Sequence, residues 1–241
     1  ALQGLAKMYR KRFSNPVIGL TGSNGKTTTK ELIAAVLARK YNIHATAGNL
    51  NNHIGVPLTI LNASLSSDIW IVEMGANHQG EIRDLCEIAD PDIGLITNIG
   101  QAHLEGFGGF DGVKRAKSEL FDHLGKKEYA VAFYNLDDPV ICEIIEQYSF
   151  RKIPYGTGIG ATYRGEIRNT DPFLHINLKE KEGVVPVASK MVGSFNFPNM
   201  MAASAIGGFY DIPVTLRKSA MEAYEPKNNR SQFIDTGKNR V

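Results

Sequence analysis

The apolar residues of this chain occur as short continuous runs that alternate with segments of helical spacing. The runs are PVIGL, DIWIVEM, DIGLITN and YAVAFYN, and each has the length of a buried strand. Between the runs, apolar residues recur every three or four positions, as at Leu32, Ile33, Val36 and Leu37, and again at Ile82, Leu85 and Ile88. This alternation predicts an α/β fold of the doubly wound type, with a mostly parallel sheet that binds ligands at the carboxyl ends of its strands.

The pattern changes over residues 155–192. Glycine-punctuated segments of alternating polarity, ATYRGEIRN, FLHINLKE and VVPVASKMV, favour antiparallel strands. We therefore expect a small antiparallel sheet at one edge of the main sheet, with helix again from Asn199. The first segment, ALQGLAKMYRKRF, is expected to be a helix without an evident apolar partner in the rest of the sequence.

Composition narrows the class of protein. The chain has 241 residues, 43% of them hydrophobic and 22% charged, which is ordinary for a globular protein, and its net charge of +2 offers no polycationic surface for nucleic acid. Cys86 and Cys142 lack the spacing of a metal site and fit buried thiols in a reducing compartment. No apolar run approaches the ~20 residues of a membrane-spanning helix, and the polar first segment does not resemble a signal peptide. We expect a cytoplasmic monomer that binds neither nucleic acid nor membranes.

The segment VIGLTGSNGKTTTKELI, residues 17–33, is typical of a phosphate-binding loop (P-loop) between a strand and a helix. It is shorter than the usual pattern G-x-x-x-x-G-K-[ST], because Leu20 stands where the first glycine would be. Glycines let backbone N–H groups point at phosphate oxygens, the lysine adds positive charge, a threonine hydroxyl can bind Mg²⁺, and the helix N-terminus attracts the anion. We expect the nucleotide at Gly22, Asn24, Gly25, Lys26, Thr27 and Thr28. No Asn-Lys-x-Asp element for guanine occurs in the sequence, which favours ATP over GTP.

Two further polar residues follow other predicted strands. Glu73 comes directly after DIWIV, where its carboxylate could bind Mg²⁺ or, equally, pair with a cation. His103 lies in the glycine-rich loop GQAHLEGFGGF that follows DIGLITN. A loop histidine is more often a surface or hydrogen-bonding residue, and only its convergence with Glu73 makes it a site candidate.

Lys117 is unusual because it lies within the apolar face of a predicted helix. In DGVKRAKSELFDHL, with Asp111 as the expected N-cap, Lys117 is four residues from both Val113 and Phe121. A buried ammonium must extend to solvent, pair with a carboxylate, lose its proton or be chemically modified. From the residues alone, extension of the side chain to solvent is the favoured reading. The apolar positions that form this face are Val113, Ala116, Leu120, Phe121 and Leu124.

Taken together, these motifs resemble the Mur ligases, ATP-dependent amide-forming enzymes of peptidoglycan precursor synthesis. The similarity rests on TGSNGKTTTKE, GNLNNHIGVPLTIL, EMGANHQGEI, AHLEGFG and KRAKSELF, in that order along the chain. The short phosphate loop is the family's form. Within the family, the motifs are most similar to the branch that adds D-alanyl-D-alanine to UDP-N-acetylmuramoyl-tripeptide.

The resemblance implies roles for the residues around the phosphate. Lys26 would bind the ATP phosphates and Thr27 a Mg²⁺ ion, while Glu73 and His103 would hold a second Mg²⁺. Lys117 matches the family lysine that reacts with CO₂ to form a carbamate, whose oxygen then binds the second metal. This implication reverses the reading that Lys117 extends to solvent.

The resemblance also implies contacts with the rest of the nucleotide and with the second substrate. In SFNFPNMMAA, Asn196 and Asn199 match residues that meet the adenine, although from the residues alone Asn196 is a candidate N-cap and Asn199 a polar residue of the first helical turn. Arg230 matches a linker arginine that reaches the phosphates, with a solvated linker charge as the alternative. The residues expected to face the muramyl peptide are Asn49, Asn51, Asn52 and His53, with Asn77 a weaker candidate; a structured asparagine-rich loop is the alternative.

Members of this family have three domains, and the sequence resembles the central one. We expect residues 1–15 to be a linker from an N-terminal UDP-sugar domain, residues 16–225 the ATP-binding domain, and residues 226–241 a linker into a C-terminal domain. The expected partners are UDP-N-acetylmuramoyl-tripeptide and D-alanyl-D-alanine, which would be joined through an acyl phosphate. Two alternatives stay open: another ligase of the superfamily, such as one adding a different amino acid or a folylpolyglutamate synthase-like enzyme, and a nucleotide-binding module without ligase activity.

Overall fold

The computed structural model describes residues 1–101 and 104–226, in which nine strands form a single sheet. The strands are β1 (Val17–Thr21), β2 (Ile43–Ala45), β3 (Ile69–Glu73), β4 (Ile93–Ile96), β5 (Val131–Asn135), β6 (Arg151–Gly156), β7 (Tyr163–Asn169), β8 (His175–Glu180) and β9 (Gly183–Ala188). The helices are α1 (Leu2–Arg10), α2 (Lys26–Leu37), α3 (Gly55–Leu61), α4 (Glu81–Ala89), α5 (Leu104–Phe107), α6 (Phe110–Leu124), α7 (Pro139–Glu146), α8 (Phe197–Phe209) and α9 (Val214–Ala223).

The sheet is parallel over most of its width, as the alternation of strands and helices predicts. Its strand order is β2-β3-β1-β4-β5-β6-β7-β8-β9, with β2 to β7 paired in parallel and β7, β8 and β9 in antiparallel. The sheet is built outward from β1 in two directions, with β3 and β2 on one side of it and β4 to β9 on the other. A crevice at such a switch point is where doubly wound folds bind their ligands.

Helices cover both faces of the sheet, because the strands are apolar on both sides. One face packs on α2, α8 and α9, and the other on α3, α4, α6 and α7, so each face has its own cluster of buried aliphatic and aromatic side chains. This two-sided burial holds β1, β3 and β4 in fixed register. The candidate site residues at the ends of these strands therefore have a rigid support.

Two details of the sequence prediction need correction. The first segment of the expected antiparallel sheet, β7, is antiparallel only to β8; it joins β6 in parallel through Tyr155 and Gly156. Asp111 is not the N-cap of α6, because the helix starts at Phe110 with Gly109 at the N-cap, which leaves Asp111 in the first turn. There its negative charge still favours the positive end of the helix dipole.

The N-terminal helix has a partner that the sequence did not reveal. Arg10 is 5% exposed and donates hydrogen bonds to the carbonyl oxygens of Ala89 (2.9 Å) and Phe13 (2.7 Å). Its guanidinium lies 5.3 Å from the ring centroid of Trp70, and α1 packs against α3 and α4. In the part of the chain that the structure describes, no helix is long and apolar enough to span a bilayer.

Candidate nucleotide and metal site

The phosphate loop leaves the carboxyl end of β1 and enters α2. Gly22 and Gly25 have φ angles of 146° and 76°, which residues with a Cβ rarely adopt. A Cβ on Gly22 would lie 2.0 Å from Thr97 Oγ1, and one on Gly25 would lie 2.7 Å from Asn199 Oδ1. Both glycines are therefore required by backbone conformation and by close packing.

The loop is braced by residues after the neighbouring strand β4. Thr97 Oγ1 donates to the carbonyl oxygen of Asn24 (2.6 Å), and the Asn24 N–H donates to Asn98 Oδ1 (3.0 Å). The N–H of Gly100 donates to Ser23 Oγ (2.8 Å). Thr97 and Asn98 were not predicted as site residues, although they are the last two residues of the run DIGLITN. Their bonds hold the loop in one shape before any ligand arrives.

Lys26 closes over this loop from the first residue of α2. Its Nζ donates to the carbonyl oxygens of Gly22 (2.8 Å) and Ser23 (3.1 Å). Burial lowers the pKa of Lys26, and the negative charge of Glu73 opposes that shift. The ammonium thus sits beside the helix N-terminus, whose first N–H groups have no acceptor within the helix.

Glu73 lies at the end of β3 and is 1% exposed. Its Oε1 accepts hydrogen bonds from Thr27 Oγ1 (3.1 Å) and from Asn51 Nδ2 (2.8 Å). Its Oε2 accepts no hydrogen bond from any described residue, and Lys30 Nζ is 3.5 Å away. Of the two readings of Glu73, the ion pair is present in the structure, and its partner Lys30 was missed by the sequence analysis.

Lys117 is buried at 3% exposure, so the prediction that its side chain extends to solvent is wrong. Its Nζ lies 5.2 Å from the ring centroid of Phe107, and no described residue forms a hydrogen bond or ion pair with it. Burial, and after it the positive charge of Lys26, lowers the pKa of Lys117 to about 8. A larger fraction of this amine is neutral near neutral pH than of an exposed lysine.

A cavity of about 570 Å³ lies between the phosphate loop and Lys117. Lys26 and Lys117 line the same space, together with the first loop glycine and four residues expected to face the muramyl peptide. The predicted site residues on its wall are Gly22, Lys26, Asn51, Asn52, His53, Asn77 and Lys117. The structure therefore brings together the phosphate loop, the buried lysine of α6 and the asparagine-rich loop, residues 46–53. His103 and Arg230 lie outside the described residues.

Comparison with known proteins agrees with this geometry. Residues 20–207 match the Mur ligase middle domain. The chain belongs to the Mur ligase family. This confirms the family that the ordered motifs suggested.

The relatives of this Mur ligase family member are close in sequence and in structure. A Bacillus subtilis protein named UDP-N-acetylmuramoyl-tripeptide–D-alanyl-D-alanine ligase is 40% identical over 239 residues, which are 98% of this chain and 50% of that protein. MurF from Acinetobacter baumannii superposes with a TM-score of 0.90 at 33% identity, covering 99% of this chain and 52% of that one. The MurF ligase of Thermotoga maritima, solved in complex with ADP, gives a TM-score of 0.84 at 28% identity, covering 97% and 54%. This chain therefore spans about half the length of these relatives.

The asparagine-rich loop of this Mur ligase domain is held by hydrogen bonds from its own side chains and from α1. Asn52 Oδ1 accepts from the N–H groups of Ile54 (3.1 Å) and Gly55 (2.9 Å) where α3 begins. Gln3 Nε2 of α1 donates to the His53 carbonyl oxygen (2.9 Å). The hydrogen bonds of Asn52 agree with the alternative of a structured loop, while contact with the muramyl peptide stays a prediction for all five candidates. Four of these five are exposed: Asn49, Asn52, His53 and Asn77.

Asn196 and Asn199 connect α8 to the phosphate-loop helix. Thr29 Oγ1 donates to Asn199 Oδ1 (3.0 Å), and Asn199 Nδ2 donates to Asn196 Oδ1 (3.0 Å). Asn196 occupies the N-cap position of α8 but makes no capping bond with its side chain; its Nδ2 donates to the carbonyl oxygen of Val192 (2.8 Å). Asn196 is thus the N-cap residue, as the sequence suggested, but without a side-chain capping bond, and contact with adenine stays a prediction for both residues. Thr28 is buried at 8% exposure behind the loop.

The close packing of Gly22 leads to a stability prediction. Gly22→Ala should lower the free energy of unfolding by about 2–6 kcal/mol, because overpacking and a disallowed backbone angle each cost about 1–3 kcal/mol. Gly4→Ala is the control, since a Cβ at this exposed position of α1 meets nothing within 4 Å. Helix propensity should make that variant about 0.5–1 kcal/mol more stable. Urea unfolding of both variants measures the difference, and equal midpoints would contradict the packing argument.

Proposed function

We propose that this chain is the ATP-binding part of a ligase that adds D-alanyl-D-alanine to UDP-N-acetylmuramoyl-tripeptide. The observation that carries the proposal is one cavity with Lys26 of the phosphate loop and buried Lys117 on its wall, and with Glu73 behind Asn51 at its edge. Such a site suits a reaction in which several anions are brought together and neutralised. The names of the relatives support the substrates, and the ADP bound to the Thermotoga maritima protein supports the nucleotide.

The residues present fit two magnesium ions beside the phosphates, one at Thr27 and one at Glu73. The Thr27 hydroxyl and the Glu73 carboxylate lie 3.1 Å apart, and both are the oxygen ligands that Mg²⁺ prefers. Glu73 Oε2 is buried, with Lys30 Nζ 3.5 Å away and no hydrogen bond from any described residue, which leaves a lone pair for a metal ion. Described residues form no cluster of three or more His, Cys, Asp and Glu that could hold a metal, so phosphate oxygens would have to complete the coordination of the ion at Thr27, and a carbamate on Lys117 that of the ion at Glu73.

In the proposed reaction the protein mainly positions charges. The terminal carboxylate of the peptide attacks the γ-phosphorus of ATP, ADP leaves, and an acyl phosphate forms. The amine of D-alanyl-D-alanine then attacks the acyl carbon, loses a proton, and displaces phosphate. Lys26 stabilises the phosphate charge in both steps, and bound Mg²⁺ ions supply further positive charge to the phosphate oxygens.

We propose that Lys117 acts as a carbamate. Its neutral amine would attack CO₂ and lose a proton, which turns a buried cation into an anion with oxygen ligands. Support comes from its burial, its lack of a described carboxylate partner, and a pKa lowered to about 8 by burial and by Lys26. Together with Glu73 and His103, the carbamate would hold a second Mg²⁺ ion.

The remaining contacts of the proposal follow the family resemblance. Asn196 and Asn199 would meet the adenine, Arg230 would reach the phosphates, and the loop from Asn49 to His53 would face the muramyl peptide with Asn77. The half of each relative that this chain does not span would supply an N-terminal UDP-sugar domain and a C-terminal domain, joined through residues 1–15 and 226–241. A reaction that consumes ATP fits a cytoplasmic location. The proposed monomeric state would be tested by light scattering of the full-length protein.

Product release by the full-length protein tests the proposed function. ADP and phosphate should appear only when UDP-N-acetylmuramoyl-tripeptide, D-alanyl-D-alanine and MgATP are all present. Activity that ignores the dipeptide would instead favour another ligase of the superfamily. ATP binding without turnover on any amino acid would favour a nucleotide-binding module that lacks ligase activity.

A further inference from the structure

Lys30 is a second buried lysine of the site, and neither the phosphate loop nor the cavity wall includes it. It lies one helical turn after Lys26 on α2 and is 3% exposed. Its Nζ donates to the carbonyl oxygen of Gly48 (3.0 Å) and lies 3.5 Å from Glu73 Oε2. One ammonium therefore contacts both the asparagine-rich loop and the carboxylate at the end of β3.

The carboxylate of Glu73 receives a contact from each part of the site. Thr27, on the phosphate-loop helix, donates a hydrogen bond to its Oε1. Asn51, in the asparagine-rich loop, donates to the same oxygen, and Lys30 Nζ lies 3.5 Å from Oε2. The N–H of Glu73 donates to Thr46 Oγ1 (3.0 Å), at the start of the same loop. Residues 46–51 are thus fixed to the phosphate side through Glu73 and Lys30.

We propose that Lys30 is a positioning residue that holds the asparagine-rich loop in register with the phosphate loop, so that the muramyl peptide is presented to the γ-phosphate of ATP. This inference rests on the proposed function. The Gly48 carbonyl carries the link to the loop, and the Glu73 contact fixes the direction of the lysine side chain. A lysine is suited to this place because one ammonium carries three donors at the end of a flexible chain, which a planar guanidinium cannot reproduce in the same space.

If Lys30 only stabilised the fold, its loss would weaken the binding of both substrates and lower kcat together. If Lys30 positions the asparagine-rich loop, its loss should impair binding of the muramyl peptide more than binding of ATP, because the phosphate loop is braced independently by Thr97 and Asn98. Loss of Lys30 should therefore raise the KM for the muramyl peptide while ATP binding in the absence of that peptide stays nearly unchanged. This split between substrates distinguishes positioning from simple stabilisation.

The test uses the full-length protein and compares Lys30→Met with Lys40→Met. Lys40 is a matched control on the same stretch of chain, since it is exposed and its Nζ also donates to a carbonyl oxygen, that of Tyr210 (3.2 Å), outside the site. We expect Lys30→Met to raise the KM for UDP-N-acetylmuramoyl-tripeptide at least 10-fold and to change the Kd for MgATP less than 3-fold. Lys40→Met should change neither constant. Amide hydrogen exchange at residues 47–52 should be at least 10-fold faster in Lys30→Met only.

An unchanged peptide KM in folded Lys30→Met would overturn the proposal, as would equal losses in peptide KM and ATP affinity. If Lys30→Met does not fold, Lys30→Arg decides: a peptide KM raised at least 3-fold with normal ATP affinity supports positioning, and a wild-type KM overturns it. Failure of the proposed function is separately visible, because the wild-type protein would then release no ADP in response to the muramyl peptide.

Discussion

Lys26→Ala should lower the kcat of the full-length ligase by about 10²–10³-fold, which is the usual loss when one preorganised group that stabilises transition-state charge is removed. The reason is local, since Lys26 is the cation that begins α2 and lines the cavity. Its hydrogen bonds to Gly22 and Ser23 also mean that its removal loosens the phosphate loop, so the KM for ATP should rise as well. Coupled measurement of ADP release gives both constants.

A surface lysine controls for the loss of charge. Lys11 is exposed just after α1, and Lys11→Ala should leave kcat and the KM for ATP unchanged. A Lys26→Ala variant that kept more than a tenth of wild-type kcat would contradict the phosphate role. A variant that lost ATP affinity without any loss of kcat would assign Lys26 to ground-state binding alone.

Lys117→Met should inactivate the ligase and stabilise its fold at the same time. The buried ammonium of Lys117 has no described ion pair, and its pKa of about 8 against an ordinary 10.5 corresponds to about 3 kcal/mol of destabilisation at neutral pH. Methionine fills the same space without charge, although it loses the contact with the Phe107 ring, so we expect a gain of about 1–3 kcal/mol. Urea unfolding in CO₂-free buffer measures it.

The sign of this effect with pH follows from the two pKa values. Below pH 8 the lysine is charged in both the folded and the unfolded states, so the folded state bears the full cost of burial. Between about pH 8 and 10.5 the folded protein releases the proton first, and the stability of the wild type rises toward that of Lys117→Met. Above that range the difference should disappear. A difference that did not change with pH would contradict burial of an ammonium.

Metal binding tests the carbamate role of Lys117 directly. With ATP present, the wild type should bind two Mn²⁺ ions in place of Mg²⁺, and Lys117→Met should bind one while it keeps its affinity for ATP. Its kcat should fall by about 10²-fold or more, the loss typical of one electrostatic contributor. Unimpaired binding of two ions by the variant would remove the carbamate from the site.

The sequence predicted the fold class and the main strands because continuous apolar runs need burial on both faces. It did not predict β2 or β6. The first is three half-buried residues without an apolar run, and the second starts with Arg151 and Lys152 and contains Pro154. The direction in which β7 pairs with β6 is a property of the connection between them, which alternation of polarity does not encode.

For the candidate site, residues that follow strands or occupy apolar faces were predictable. The place of Lys117 in a helical stripe marked it as unusual, although extension to solvent was the favoured reading from the residues alone. Lys30 has a similar place in α2, because it precedes Ile33 by three residues and Leu37 by seven. What the stripe could not reveal was that Lys30 has a carboxylate partner. The ion pair of Lys30 with Glu73 joins residues that are distant in the chain, and only the pairing of β1 with β3 brings them together.

The antiparallel hairpin of β8 and β9 closes the end of the sheet opposite to β2, remote from the strands that carry the phosphate loop. Its turn, at Lys181 and Glu182, offers exposed side chains. A fluorophore or a spin label attached there would lie far from the phosphate loop and should not disturb it. The hairpin is thus a suitable attachment site for a probe of this domain in the full-length protein.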